Sequence, residues 1–145
     1  MQYYQLPFNV SASWKNEHVK INLYESVRQH LQLMLATTID ESSFSPFFGT
    51  TLSEMLFDYP NHRTREEDWK IHKIKSIKKT LKKSIEIHEP RIVKVDSIRI
   101  EHKLLGKNSQ SDYAKKGIKR LLLVVITAKL KDTNDYTFDF MFPFK

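Results

Sequence analysis

The chain changes its hydrophobic period once, at Glu89-Pro90-Arg91. Ahead of that point Ile74, Ile77, Leu81 and Ile85 recur at spacings of three, four and four, the period of a helix with one apolar face. Beyond it "RIVKVDSIRIE" and then "YTFDFMF" alternate, the period of strands. Proline cannot continue a helix and pushes the residue before it toward extended geometry. Glu89 is therefore the last residue the helix can hold, and strand begins at Arg91. One such switch, with helical pattern on one side and strand pattern on the other, reads as α+β: three helices followed by a three-stranded antiparallel sheet.

The individual elements follow from local signals. Residues 1–20 read as an irregular arm with scattered anchors at Tyr3, Tyr4, Phe8 and Trp14, and residues 21–145 as a single domain. Asn22 with Glu25 three residues later is an N-cap pair. It opens a helix to about Ala36 with Tyr24, Val27, Leu31, Met34 and Leu35 on one face. Ser45-Pro46 and Gly49-Thr50 punctuate an aromatic-rich turn. Thr50 or Thr51 then caps a short helix with Leu52, Met55 and Leu56 inward, closed by Pro60. Thr64-Arg65-Glu66-Glu67 reads as the capping box of the third helix. A polar loop over about 102–118 leads to "RLLLVVITAKL", whose continuous apolar run predicts a strand buried on both faces. In the last strand Tyr136, Phe138, Phe140 and Phe142 fall on one side, and Thr137, Asp139 and Met141 on the other. Such a terminal strand is often an edge, whose free amides and carbonyls can template another chain.

A length of 145 residues fits one domain with one core. The absence of cysteine excludes a disulfide scaffold and a thiolate metal site. The opening "MQYYQLPFNVSASWKNEH" lacks the pattern of a secretory signal, and no stretch approaches the roughly 20 apolar residues of a spanning helix. The expectation is a cytoplasmic protein with no direct membrane insertion.

Chemistry finds little to hold. Glycines at 49, 106 and 117 cannot build a phosphate loop, and the six histidines form no His-x-x-x-His pair on a helix. No metal, cofactor or small-molecule substrate is expected. His72 and His88 read as packed helix-edge residues. Glu41 and Glu89 are the pair one would nominate for glycoside hydrolysis. Arg91 stands two residues from Glu89, however, and a neighbouring cation lowers a carboxylate's pKa, the wrong direction for a general acid. No catalytic residue is assigned.

The net charge of +7 favours acidic partners. Seven lysines fall between 70 and 83 with no acidic residue among them, and Lys75, Lys79, Lys82 and Lys83 lie away from the apolar stripe as a basic face. That face reads as solvated or as set against an acidic protein. It lacks the arginines and stacking aromatics of phosphate recognition, which disfavours nucleic acid. A basic nucleic-acid-binding α+β domain stands as the alternative reading.

The ordered set Thr37 or Thr38, Pro46-Phe47-Phe48-Gly49, Leu52 with Leu56-Phe57, and Glu89-Pro90-Arg91-Ile92 resembles the TssE-like baseplate wedge family. Its members are the small wedge subunits of contractile phage tails and of type VI secretion systems, sometimes labelled lysozyme-like. The resemblance spans about residues 21–142. Phage members usually carry Gly-Glu-Arg after the first helix, where this chain has Ile39-Asp40-Glu41, and this departure points to a secretion-system branch. The resemblance implies a structural subunit whose partners are other baseplate wedge proteins and contractile sheath subunits. It implies that Glu89, Pro90 and Arg91 face a wedge partner, and that the strand of Tyr136, Phe138, Phe140 and Phe142 faces the sheath. An outward-facing corner further predicts that Arg91→Ala leaves the fold intact while abolishing co-purification with wedge partners.

Overall fold

Asn22 caps the first helix in the manner its spacing implies. Its side chain accepts from the Glu25 N–H at 2.8 Å, and the Glu25 carboxylate accepts from the Asn22 N–H at 3.3 Å. Helix α1 (Leu23–Ala36) turns Val27, Leu31, Met34 and Leu35 into the core. Helix α2 (Leu52–Phe57) contributes Leu52 and Met55, and its first N–H is held by the Thr50 hydroxyl at 3.2 Å. Helix α3 (Glu66–His88) buries Ile77, Leu81 and Ile85. The computed structural model describes residues 2–6, 19–43, 45, 47–57, 66–105, 115–118 and 120–144. Pro60, Thr64 and Arg65 lie outside them, as do Phe8, Trp14 and most of the 102–118 loop.

After Pro90 come β3 (Ile92–Leu104), β4 (Arg120–Leu130) and β5 (Asp135–Phe144), paired antiparallel in the order β3-β4-β5. Not every strand follows the helices. Two short strands, β1 (Tyr3–Tyr4) and β2 (Lys20–Ile21), precede them and form a separate antiparallel pair with Tyr3 opposite Ile21. The N-terminal arm is thus tied to the start of α1 rather than wholly irregular.

Both long helices lie on one face of the sheet, α3 against β3 and α1 against β5. Leu122, Val124, Ile126, Ala128 and Leu130 of β4 are buried beneath them, while on the other face Leu121 is buried and Leu123, Val125, Thr127 and Lys129 are partly exposed. The expectation that β4 is buried on both faces is corrected accordingly. An apolar run is demanded by a central strand, but a single helical layer covers only its alternate residues.

The β4–β5 hairpin turns through three residues. Thr133 N–H donates to Leu130 C=O at 3.0 Å, and Leu130 N–H to Asn134 C=O at 3.1 Å. Thr133 takes a φ of +69° at the left-handed position of this turn, which glycine fits without a Cβ penalty. Thr133→Gly is expected to stabilise the fold by about 0.5 kcal/mol, strain relief less glycine's greater unfolded entropy. A small rise in melting temperature would show it, and a fall would mean the Thr133 hydroxyl bond to Asp132 C=O at 2.6 Å matters more than the strain.

Candidate functional site

The Glu-Pro-Arg corner is built from the last turn of α3. Glu89 N–H still donates to Ile85 C=O at 2.9 Å, and Ile92 N–H then donates to Glu89 C=O at 3.1 Å across the proline. Lys131 N–H donates to Arg91 C=O at 3.0 Å, fastening the corner to the hairpin turn. Glu89, two residues before Arg91 and just outside the helix, folds its side chain inward and is only 1% exposed.

Every donor the carboxylate needs comes from this chain. Glu89 Oε1 accepts from Arg91 Nε at 2.6 Å and from Arg91 N–H at 3.2 Å. Glu89 Oε2 accepts from Arg91 Nη2 at 2.6 Å and His30 Nδ1 at 2.7 Å. Arg91 Nη1 donates to Ser26 Oγ at 2.7 Å, and its guanidinium lies 5.4 Å from the Tyr3 ring centre. Burial alone would push the Glu89 carboxyl up, but the His30 and Arg91 hydrogen bonds and charges outweigh it and hold the pKa down to about 2. The Arg91 pKa is raised, chiefly by its bond to Glu89. A carboxylate so stabilised as an anion is a poor proton donor, so Glu89 is chemically a structural anchor. Glu41 is spent on its own turn, accepting from Thr38 N–H at 3.0 Å.

His30 was not among the residues that sequence spacing singled out. It lies four residues after Ser26, so both project from one flank of α1 toward the corner. His30 also stacks on Phe48 at 5.7 Å between ring centres, and His88 meets Phe48 edge-on at 5.3 Å. The Phe-Gly turn and the Glu-Pro-Arg corner are therefore one packed unit. Gly49 N–H donates to Ser84 Oγ of α3 at 3.1 Å, and Thr50 N–H to Thr37 C=O at 2.9 Å.

A family model described as baseplate wedge protein gp25 matches residues 22–135, from the α1 cap to the first residue of β5. The chain belongs to the baseplate wedge protein gp25 family. No curated protein matches it. Membership makes this chain a structural baseplate protein of a contractile tail or secretion machine, in contact with other baseplate proteins. Among its described residues no helix is long and apolar enough to cross a membrane.

In this gp25-family chain the two motifs face each other, not outward. Of the three corner residues expected at a wedge interface, Glu89 is sealed, Pro90 is exposed, and the Arg91 side chain is 22% exposed. The physical reason is saturation: Arg91 offers its fork to Glu89 and its remaining nitrogen to Ser26, leaving Glu89 nothing to accept from a partner.

The aromatic ladder is also turned inward. Phe138 and Phe140 are buried, and Tyr136 and Phe142 pack against the core. Tyr24 of α1 stacks on Phe138 at 4.9 Å, and the Arg28 guanidinium lies 5.7 Å from the Phe140 ring centre. The four aromatics in one row thus form the apolar face that α1 covers.

Backbone directions decide which sheet margin is open. Leu130 N–H bonds to Asn134 C=O, and hydrogen-bonded and open pairs alternate along an antiparallel ladder. Thr127↔Thr137 and Val125↔Asp139 are therefore open pairs, and the Thr137 and Asp139 carbonyls point away from β4. Both meet α1: Tyr24 Oη donates to Thr137 C=O at 3.3 Å and Arg28 Nη2 to Asp139 C=O at 3.4 Å. Pro143, at another outward position, has no N–H to offer. Two carbonyls of the β5 margin are thus taken by α1.

The β3 margin differs along its length. Register shifts between Ile92 and Lys94 and between Val95 and Ser97 mark bulges in its first half, where Lys94 pairs with Asp96 at 3.1 Å. Bulges and charges of this kind protect an edge. From Ser97 onward the pairing is regular, and the alternation carried across β4 turns the backbone groups of Ile98 and Ile100 outward. No strand among the described residues pairs with that side.

The basic face is real but partly committed. Lys75, Lys79, Lys82 and Lys83 are all exposed. Lys83 Nζ lies 3.5 Å from the Phe47 ring centre, Lys73 pairs with Glu54 at 3.1 Å, and Lys82 approaches Glu86 at 4.0 Å.

Proposed function

We propose that this chain is the small wedge subunit of a type VI secretion baseplate, that it joins the wedge proteins at the corner, and that it starts sheath assembly by strand addition to its C-terminal sheet. The observation that supports this reading is the regular outer side of β3 over residues 97–103, whereas on β5 Tyr24 and Arg28 take the Thr137 and Asp139 carbonyls. Strand addition draws affinity from main-chain hydrogen bonds and register from alternate side chains. At the corner, Pro90 and the exposed flank of Arg91 are the groups available to a wedge partner, with Glu89 holding the guanidinium in place.

Tagged protein recovered from its native cell is expected to bring wedge proteins and sheath subunits with it. In the reconstituted complex with sheath subunits, hydrogen exchange at the Ile98 and Ile100 amides is expected to slow at least tenfold. Sheath subunits that bind while leaving both amides unchanged would overturn strand addition at β3. The alternative, a nucleic-acid-binding domain, requires an affinity for duplex DNA that falls steeply with salt. A shallow dependence and weak binding are expected instead.

A further inference from the structure

The regular stretch of β3, whose outer side no described strand pairs, follows a charged row on α3. Ser76, Thr80 and Ser84 form one flank of that helix and are held by the segment before α2: Thr51 Oγ1 meets Ser76 Oγ at 3.0 Å, Thr51 N–H donates to Thr80 Oγ1 at 3.3 Å, and Gly49 N–H reaches Ser84. Lys73 and Lys83 turn toward the same side, to Glu54 and Phe47. Ile71, Lys75, Lys78 and Lys82, spaced four, three and four, form the opposite flank. Lys82, Ile85 and Glu86 line a groove with Ile92–Val95, which sets the Lys82 end of that flank beside the bulged start of β3. Lys75 and Lys82 are exposed, and no acidic residue interrupts the helix between 70 and 83.

A strand added to β3 at 97–103 would therefore run below this row. Its side chains alternate between two faces. Those on the helix side run along the lysine row, whose Lys82 end lies at the bulged start of β3, and those on the other side neighbour the exposed Arg99 and Lys103, with Glu101 between them. The acidic residues near the row lie at its two ends: Glu86 beside Lys82 at the bulged half of β3, and Asp68 one turn before Ile71.

We infer that the strand this edge accepts is an acidic one: a partner segment carrying carboxylates at alternate positions, selected by the Lys75–Lys78–Lys82 row. The inference rests on strand addition at β3 and adds the chemistry of the segment. Opposite charge along the groove speeds encounter and rejects cationic strands, while the backbone ladder supplies the rest of the affinity. Lysines on an exposed flank can be reversed in sign without disturbing the core, which keeps the idea open to a clean test.

Three capped octapeptides, alternating Glu-Val, Gln-Val and Lys-Val, serve as probes at 50 mM salt. The Glu-Val peptide is expected to bind at least tenfold tighter than Gln-Val, to slow exchange at Ile98 and Ile100, and to lose most of its advantage at 500 mM salt. In the Lys75→Glu, Lys78→Glu, Lys82→Glu variant the preference is expected to invert toward Lys-Val. Equal protection of Ile98 and Ile100 by all three peptides would overturn the lysine selection and leave strand addition standing. Tight Glu-Val binding without slowed exchange at those amides would overturn the inference by placing the acidic contact elsewhere. Failure of all three peptides to protect them would remove the inference, and if sheath subunits also left them unprotected, strand addition would go with it.

Discussion

Arg91→Ala lowers the free energy of unfolding by about 3 kcal/mol, the lower end of the cost of leaving one member of a buried ion pair alone. The variant keeps Glu89 buried and removes two of its four hydrogen-bond donors, Arg91 Nε and Nη2, while the backbone N–H is retained by alanine. His30 Nδ1 and the residue-91 backbone N–H still reach the carboxylate, which is why the loss stays at the lower end. A shift of the urea midpoint with an unchanged m-value is the measurement. An outward-facing corner would have predicted no folding cost, and the inward geometry replaces that expectation. The double variant Glu89→Met, Arg91→Leu is expected to recover most of the loss, because exchanging both charges for apolar groups is often near neutral. If the single variant unfolds with the midpoint of the parent, the pair is not sealed as described.

The same pair sets an acid limit. The Glu89 pKa in the folded chain, about 2, lies below its ordinary 4.5. A depressed carboxylate contributes stability that is fully present above pH 4.5 and disappears as the pH falls toward 2. The amount at stake is about 3 kcal/mol, from roughly 1.4 kcal/mol per pH unit. Glu89→Gln should flatten the stability profile across that window, measured by denaturation between pH 5 and pH 2. An unchanged slope would place the acid sensitivity in other carboxylates.

Much of this was legible in the residues. The Asn22–Glu25 cap, the Ile77–Leu81–Ile85 stripe and the proline stop each rest on a local rule that tertiary context did not override. The order of elements and the ordered motifs were enough to reach the wedge family. Direction was what the residues could not convey. Whether Glu89 and Arg91 point at a partner or at each other depends on His30 and Ser26, which are 59 and 65 positions away along the chain. Likewise an alternating aromatic row has the same pattern whether it meets α1 or a neighbour. The β5 margin could be judged only once Tyr24 and Arg28 were seen to reach its carbonyls. Sequence spacing encodes which residues share a face, and only packing across the chain says what that face meets.

Gly49→Ala is expected to cost about 4 kcal/mol, combining a disallowed backbone angle with overpacking. Gly49 has a φ of +112°, and a Cβ built there would stand 2.6 Å from the Thr37 carbonyl oxygen and 3.0 Å from the Thr37 and Thr38 carbonyl carbons. These are backbone atoms, fixed by Thr50 N–H to Thr37 C=O at 2.9 Å and Ile39 N–H to Thr50 C=O at 3.1 Å, so no side chain can swing aside. Relief requires the turn to part from the end of α1. Phe48 would then leave its contacts with His30 and His88, loosening the His30 donor to Glu89. Gly117 supplies the comparison: its φ is +74° but nothing lies within 4 Å of an added Cβ. Gly117→Ala should therefore cost only about 1 kcal/mol, the left-handed penalty alone. Urea midpoints of the two variants separate the effects, and faster hydrogen exchange at the Thr50 amide in Gly49→Ala would locate the opening. Equal costs at the two positions would mean that the turn is not clamped against α1, and that the two motifs do not fold as one unit.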